Sequence, residues 1–171
     1  DNCLCCRNIW KFLKVCVEIG HKMRITIICV GKVKESFYRD AIGEYSKRLS
    51  RYCKLEIVEV ADEKTPDGAG AAAAEQIMEK EARRILEKLR DDAFVCTLEI
   101  GGKKFSSEEF SGWMEKLAVN GTSHIAFVIG GSLGLHESVR KRANLAVSFS
   151  DMTFPHQLMR VILTEQIYRA F

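Results

Sequence analysis

The sequence predicts an α/β fold in which a mostly parallel sheet carries helices on both of its faces. Short apolar segments rich in β-branched residues alternate with longer amphipathic segments five times along the chain, which is the pattern of linked βαβ units. The segment HIAFVIG, residues 124–130, is apolar except for its first residue, as expected for a central strand that is buried on both faces. The length of 171 residues suits one domain with a single large core.

Five segments are predicted to be strands because each joins β-branched and other apolar residues over a length typical of strands. In chain order they are RITIICV (24–30), LEIVEVA (55–61), FVCTLEI (94–100), HIAFVIG (124–130) and LAVSFS (145–150). Gly31 and Gly101 directly follow the first and third segments, where the chain is expected to turn.

The segments between these strands, and the one after the last, are predicted to be helices because their apolar residues recur three or four positions apart. They lie at residues 35–50, 77–90, 107–118, 136–144 and 155–171, and Ser106 or Ser107 can cap the third. The last helix is apolar around nearly its whole circumference, so it must be covered on all sides. In a chain of this size the missing cover is predicted to be another subunit, and a homodimer is therefore expected.

The composition argues against several classes of protein. No apolar run reaches the length of a transmembrane helix, so no membrane span is expected. Residues 23–171 hold 22 basic and 21 acidic side chains, so an RNA partner would have to be attracted by a local patch. Four of the seven cysteines crowd the first 16 residues without a second ligand pair, so neither a metal site nor a disulfide framework is expected. These features indicate a reduced, cytoplasmic protein.

Residues 1–22 differ from the rest of the chain, and the regular pattern begins only at Met23. Ile9, Phe12 and Val17 fall on one face of a possible helix, so a partner-binding helix is one interpretation. The favoured interpretation is an extension outside the fold, either added to the chain or produced by an upstream start. The domain is therefore predicted to span residues 23–171.

Two strand-to-turn junctions near the C-terminus are the candidate functional site, because open α/β sheets bind ligands at the carboxyl ends of their strands. The first is the GGSLG turn, whose glycines let backbone N–H groups approach a ligand, although the spacing alone fits a tight turn equally well. The second is the segment after residue 148, which ends in Pro155 and His156. His156 is interpreted as a general base, a phosphate contact or a helix cap, and Arg160 lies four residues later on the same helical face.

These residues together resemble the ribosomal RNA large subunit methyltransferase H family, a small bacterial branch of the SPOUT superfamily. The segments that carry the resemblance are MRITIICVGKVKESFYRDAIGEYSKRL, TLEIGGK, FVIGGSLGLHESV and AVSFSDMTFPHQLMRVILTEQIYRAF. It covers Met23 to Phe171 in matching order. The pairing of IGG-x-x-G with S-x-M-T-x-P-H-x-x-x-R is far more specific than either half alone.

The resemblance implies a fold that periodicity cannot show. The C-terminal part of the α/β sheet would be threaded into a deep trefoil knot, against the usual absence of knots in proteins. The knot loops would hold S-adenosylmethionine in a bent conformation, and two subunits would pair to complete each site. Carried over by motif, the cofactor-binding residues are Leu98, Gly130, Phe149, Ser150, Asp151, Met152, Thr153 and Phe154.

The reaction that the resemblance implies is methyl transfer to N3 of a pseudouridine in the 23S ribosomal RNA of the assembled ribosome. We expect His156 to be the base that removes the N3 proton, or to orient that base. Arg160 is expected to contact a phosphate or a uracil carbonyl, and Glu165 to support the site across the dimer, together with Arg169. The family usually continues past YRAF into a short tail rich in tyrosine, histidine and basic residues, so this tail is expected to be missing after Phe171.

A second interpretation assigns the same scaffold to a non-catalytic module that binds the ribosome or a nucleotide. Binding of S-adenosylmethionine and S-adenosylhomocysteine to the folded dimer separates the two interpretations.

Overall fold

The computed structural model describes residues 22–66, residue 68 and residues 70–171. A five-stranded sheet in the order β2-β1-β4-β3-β5 forms the centre of the protein, and every pair of neighbouring strands is parallel. The strands are β1 (Arg24–Val30), β2 (Lys54–Val60), β3 (Phe94–Lys104), β4 (His124–Ile129) and β5 (Leu145–Ser148). The predicted parallel sheet is confirmed, and β4 is a central strand whose six residues are all buried.

Five helices connect and follow the strands in the described part of the chain. They are α1 (Ser36–Leu49), α2 (Ala71–Lys88), α3 (Ser107–Val119), α4 (Glu137–Arg142) and α5 (His156–Ala170). The predicted cap of α3 is confirmed, since the Ser106 hydroxyl accepts the backbone N–H of Glu109 at 3.1 Å. The Glu109 carboxylate accepts the Ser106 N–H at 2.7 Å in return, which completes a capping box.

Helices cover both faces of the sheet because successive side chains along a strand point to opposite faces. On one face, Ile27 and Phe127 pack in a cluster with apolar residues of α1, α3 and α5. On the other face, Ile28 and Val128 pack in a second cluster with residues of α2 and α4. Burying each such side chain contributes about 1.5–3 kcal/mol, so the two clusters are a major source of the hydrophobic stabilisation of the fold.

Strand β3 differs from its predicted extent. It continues to Lys104, and its pairing with β5 is interrupted, because both Leu98 and Lys103 pair with Val147. The intervening residues 99–102 form an irregularity of the kind that often lies beside functional sites. Periodicity could not show this interruption, because it depends on which strand lies next to β3.

Helix α5 is covered largely by its own chain. It packs against α1 and α3 and on the sheet, so that Leu163 and Ile167 are fully buried. The chain itself thus supplies much of the cover of this helix, and the homodimer stays a prediction. Leu158, Val161 and Ile162 remain half-buried and form one apolar strip on the helix.

The backbones of β3 and β5 approach unusually closely at Gly102. A Cβ atom at this position would lie 2.7 Å from backbone atoms of Ala146 and Val147, so only glycine fits without a shift. Such an approach is compatible with the knot that the resemblance implies. The knot itself stays a prediction, because strand order alone does not define how the chain passes through itself.

The interpretation of residues 1–22 concerns a segment that lies, except for Lys22, outside the described residues. Lys22 donates to the carbonyl oxygen of Ser50 at 3.2 Å.

Among the helices that the structure describes, none has the length and apolar character needed to cross a membrane.

Candidate active site

A cavity of about 860 Å³ opens at the carboxyl edge of the sheet, where β3, β4 and β5 end and α5 begins. Its volume lies within the range of about 300–1,000 Å³ that is usual for small-molecule sites. Three chain segments and the first turns of α5 supply its walls. The lining residues are Leu98, Glu99, Ile100, Gly101, Ile129, Gly130, Gly131, Ser132, Leu133, Gly134, Leu135, Arg140, Val147, Phe149, Ser150, Met152, Thr153, Phe154, Pro155, His156 and Met159.

The turn after β4 forms one wall with its backbone. Gly131 and Gly134 pair across the turn, and the N–H of Gly134 donates to the carbonyl oxygen of Gly131 at 3.1 Å. A Cβ atom on Gly130 would lie 2.7 Å from the carbonyl oxygen of Gly134, and one on Gly131 would lie 2.9 Å from Oε2 of Glu81. Close packing against backbone thus requires glycine at position 130, whereas a side chain at position 131 would first displace the carboxylate of Glu81.

The segment that follows β5 forms the opposite wall. The Ser148 hydroxyl donates to the carbonyl oxygen of Ser150 at 3.1 Å, and the Ser150 hydroxyl accepts the N–H of Met152 at 3.0 Å. These short-range hydrogen bonds fold the segment back over the strand ends. Phe149 and Phe154 then contribute aromatic surface to the cavity, while Met152 is 71% exposed at its mouth.

The irregular end of β3 contributes the only carboxylate that lines this cavity among the described residues. The Glu99 carboxylate accepts the Thr97 hydroxyl at 2.7 Å and lies 3.0 Å from Nε of Arg140. The arrangement places one anion and one cation against otherwise largely apolar walls. The sequence offered one signal for this pair, namely an acidic residue at a strand end and a basic run in the helix after the glycine turn.

His156 is the first residue of α5 and lies where the cavity meets the end of β1. Its Nε2 atom is 3.5 Å from the position that a Cβ atom on Gly31 would occupy. Burial is the main cause that lowers the pKa of His156, and the positive charges of Arg160 and Lys34 act in the same direction against the opposing effect of Asp62. The imidazole is therefore neutral at neutral pH, so it can accept a proton.

Arg160 does not reach the cavity, although it lies four residues after His156. Its side chain is fully buried, and its Nη2 atom donates to the carbonyl oxygens of Val30 at 2.8 Å and Gly31 at 2.7 Å. Its Nη1 atom donates to Oε1 of Glu59 at 2.8 Å. In this structure Arg160 fastens α5 to the ends of β1 and β2, and the geometry does not support the expected contact with a phosphate or a uracil carbonyl.

Most of the residues carried over by motif line the cavity together: Leu98, Gly130, Phe149, Ser150, Met152, Thr153, Phe154 and His156. Asp151 does not, since its exposed carboxylate forms an ion pair with Lys104. Glu165 is also outside the lining and pairs within α5 with Arg169 and Gln166. Among the residues that the structure describes, no group of three or more His, Cys, Asp and Glu side chains is arranged to hold a metal ion.

Comparisons with known proteins bear on what this cavity binds. Residues 23–171 match the model of a family described as "Predicted SPOUT methyltransferase". The ribosomal RNA large subunit methyltransferase H of Clostridium beijerinckii is 60% identical over 149 residues, which are 87% of this chain and 94% of that protein. The protein of the same name from Bifidobacterium adolescentis is 61% identical over the same shares of both chains. A putative methylase family protein from Neisseria gonorrhoeae has a solved structure that covers 86% of this chain and 82% of its own, with 12% identity and a TM-score of 0.49.

Proposed function

The chain belongs to the SPOUT methyltransferases, and we propose that it methylates N3 of a pseudouridine in 23S ribosomal RNA within the assembled ribosome. S-adenosylmethionine is the methyl donor. The observation that carries the proposal is the cavity itself. It joins the glycine turn of residues 130–134, the segment 149–154 and His156 at one edge of the sheet.

The residues present fit this cofactor. Backbone atoms of the glycine turn and of Leu98 lie at strand ends, where they can hydrogen-bond a heterocycle, and Leu98, Phe149 and Phe154 offer apolar surface around it. Since a Cβ atom on Gly130 would meet the carbonyl of Gly134, glycine at this position allows the tight turn that lines the cavity. When bound, S-adenosylmethionine supplies a methyl group that its sulfonium has already made strongly electrophilic.

The protein therefore has two tasks, which are to align the nucleophile and to remove its proton. We assign the second task to His156, whose neutral imidazole would accept the N3 proton. Bound S-adenosylmethionine would give its methyl group to N3 with breakage of the carbon–sulfur bond and would leave as S-adenosylhomocysteine. Arg160 acts indirectly, because its hydrogen bonds to Val30 and Gly31 fix the first turn of α5 and hence the place of His156.

A second copy of the chain is proposed to cover the half-buried strip of Leu158, Val161 and Ile162 on α5. The strip lies two to six residues after His156, so such a dimer would bring the partner's surface close to the site. Sedimentation equilibrium tests this point, since an Ile162→Glu variant is expected to be monomeric. The ribosome as substrate also places the proposed activity in the cytoplasm.

The proposed function is tested by methyl incorporation from labelled S-adenosylmethionine into intact ribosomes that lack the modification. Naked 23S rRNA serves as the comparison. Labelled pseudouridine at N3 is the expected product. Calorimetric titration with S-adenosylhomocysteine is the second measurement. Absence of binding by a folded dimer would support the non-catalytic module instead.

A further inference from the structure

The surroundings of His156 extend beyond the cofactor cavity. Gly31, Asp62 and Lys34 lie close to its imidazole, and none of them lines the cavity. His156 therefore stands between two spaces, with the cavity on one side and the end of β1 on the other. A substrate that gives its proton to His156 while receiving a methyl group from the cavity has to approach over the end of β1.

The chain that leaves β1 presents unpaired positive charge at this place. Lys32 and Lys34 are exposed, and within the described part of the chain neither ammonium has an ion pair. By contrast, Arg84, Lys104 and Arg140 each pair with a carboxylate of this chain. Unpaired lysines beside an active site are available to phosphate groups, whose contacts supply most of the affinity for nucleic acid.

Two adjacent aromatic residues follow these lysines in the chain, and the first of them is exposed. Phe37, in the first turn of α1, is 60% exposed, and its ring centroid lies 4.2 Å from that of Tyr38. Exposed aromatic rings beside basic side chains form platforms on which unpaired bases stack. An isolated exposed phenylalanine would need no explanation, but this one follows Lys34 by three residues, and the N–H of Lys34 is bonded to the first turn of the active-site helix.

The loop is held firmly to the active-site helix. The N–H of Val33 donates to Oε1 of Glu59 at 3.0 Å, the oxygen that also accepts Arg160. The N–H of Lys34 donates to Oε1 of Gln157 at 2.8 Å, in the first turn of α5. Nη1 of Arg39 closes the loop by donating to the carbonyl oxygen of Val33 at 3.1 Å. The backbone that carries the lysines is thus tied to the helix that carries His156, as a substrate-positioning surface requires.

We infer that Lys32, Lys34, Phe37 and Tyr38 form an RNA-docking surface that guides an unpaired base of the substrate to His156. The lysines contact phosphates on either side of that base, and a neighbouring base stacks on Phe37. The inference rests on the proposed function, because it names the surface by which the same site holds its RNA. A second copy of the chain is the competing occupant, but its nearly neutral surface offers the lysines no comparable density of negative charge.

The test combines a Lys32→Ala/Lys34→Ala double variant with Phe37→Ala. The matched control is Lys88→Ala/Lys116→Ala, which removes two exposed lysines from the last turns of α2 and α3 at the opposite edge of the sheet. The measured quantities are kcat/KM on intact ribosomes over a range of salt concentrations, ribosome binding by co-sedimentation, and affinity for S-adenosylhomocysteine.

The double variant is expected to have a kcat/KM at least about tenfold below that of the wild type. The slope of log kcat/KM against log salt should become shallower by about 0.7 for each phosphate that a lysine no longer neutralises. Phe37→Ala should lower kcat/KM by about 5- to 150-fold, the equivalent of one base stacked on an aromatic ring. The affinity for S-adenosylhomocysteine stays as in the wild type, and the control variant behaves as the wild type in every assay.

Two results overturn the inference. In the first, the Lys32→Ala/Lys34→Ala variant has the same kcat/KM and salt dependence as the control variant. In the second, Phe37→Ala converts the protein to monomers. The second result would assign the surface to another copy of the chain. If the proposed function is wrong, the measurements give a different result. The wild type would then bind ribosomes through the two lysines without methylating them, and the docking surface would stand.

Discussion

Two histidines lie at opposite edges of the sheet, and both have a pKa below the ordinary value, chiefly because of burial. His124 begins β4 at the amino edge, is 3% exposed and has its Nε2 atom 2.9 Å from the Thr26 hydroxyl. Its Nδ1 atom lies 3.7 Å from a carboxylate oxygen of Asp92 and has no hydrogen-bond partner in the described part of the chain. His156 lies at the carboxyl edge beside the cavity.

The contrast between these histidines indicates that a perturbed pKa does not by itself mark a functional residue. Side chains close the space around His124, so a substrate cannot reach its ring. His156 lines the cavity on one side, and on the other the position of a Cβ atom on Gly31 lies 3.5 Å from its Nε2 atom, so the glycine leaves space beside the imidazole. Access for a ligand, and not the direction of the pKa shift, separates the candidate base from the structural histidine.

The largest expected effect follows from removing each imidazole in turn. His156→Ala should lower the methylation rate on ribosomes by about 100- to 10,000-fold, because a general base is removed. Its affinity for S-adenosylhomocysteine, measured by calorimetry, should remain nearly that of the wild type. His124→Ala is the matched control, with a normal rate per folded molecule and lower stability. Equal reductions of the rate in the two variants would contradict the assignment of His156.

The second expected effect concerns stability at the carboxyl edge. Arg160→Ala should lower the free energy of unfolding by about 3–5 kcal/mol, because Glu59 and two backbone carbonyls lose a buried charged partner. Arg140→Ala, which breaks a half-exposed pair, should cost less than about 1 kcal/mol. Urea denaturation measures both. If the Arg160→Ala protein has normal stability but no longer methylates, the result would support the direct contact between Arg160 and RNA that we expected from the sequence.

A smaller effect should follow from filling the glycine turn. Gly130→Ala forces a Cβ atom to within 2.7 Å of the Gly134 oxygen, so the turn must shift at a cost of about 1–3 kcal/mol. Affinity for S-adenosylhomocysteine should fall with it. Gly43→Ala provides the control, since nothing lies within 4 Å of the added atom in the middle of α1. That variant should gain about 0.5–1 kcal/mol and bind the cofactor normally, and a loss of cofactor affinity there would speak against the role of the turn.

The smallest expected effects concern pH. His124 should affect the pH dependence of stability, and His156 should affect the pH dependence of the methylation rate. The folded pKa of His124 lies below 6.5, so the unfolded chain takes up a proton more readily. The contribution of His124 to stability is therefore complete above about pH 6.5 and is lost as the pH falls through the folded pKa, a dependence that His124→Asn should weaken.

The methylation rate should be constant from neutral to alkaline pH and should fall only below 6.5, as His156 becomes protonated. A rate that already falls between pH 8 and 7 would contradict a lowered pKa.

The parallel sheet, the order of its helices and the central place of β4 could all be predicted from the sequence. Strand and helix periodicity are local properties, and the two buried faces of a strand are visible in its composition. The glycine turn and the segment after β5 line one cavity, as expected for loops at the carboxyl edge of a parallel sheet, and the cofactor contacts that the resemblance implies stay a prediction.

The roles of particular polar side chains became visible only in the folded chain. Arg160 and His156 share a helical face, yet one is buried against the carbonyls of Val30 and Gly31 and the other faces the cavity. The pairing of Glu99 with Arg140 likewise depends on two residues that are 41 positions apart. Hydrogen-bond partners that are distant in the chain leave no periodic pattern, so the sequence could name these residues but could not say what each one binds.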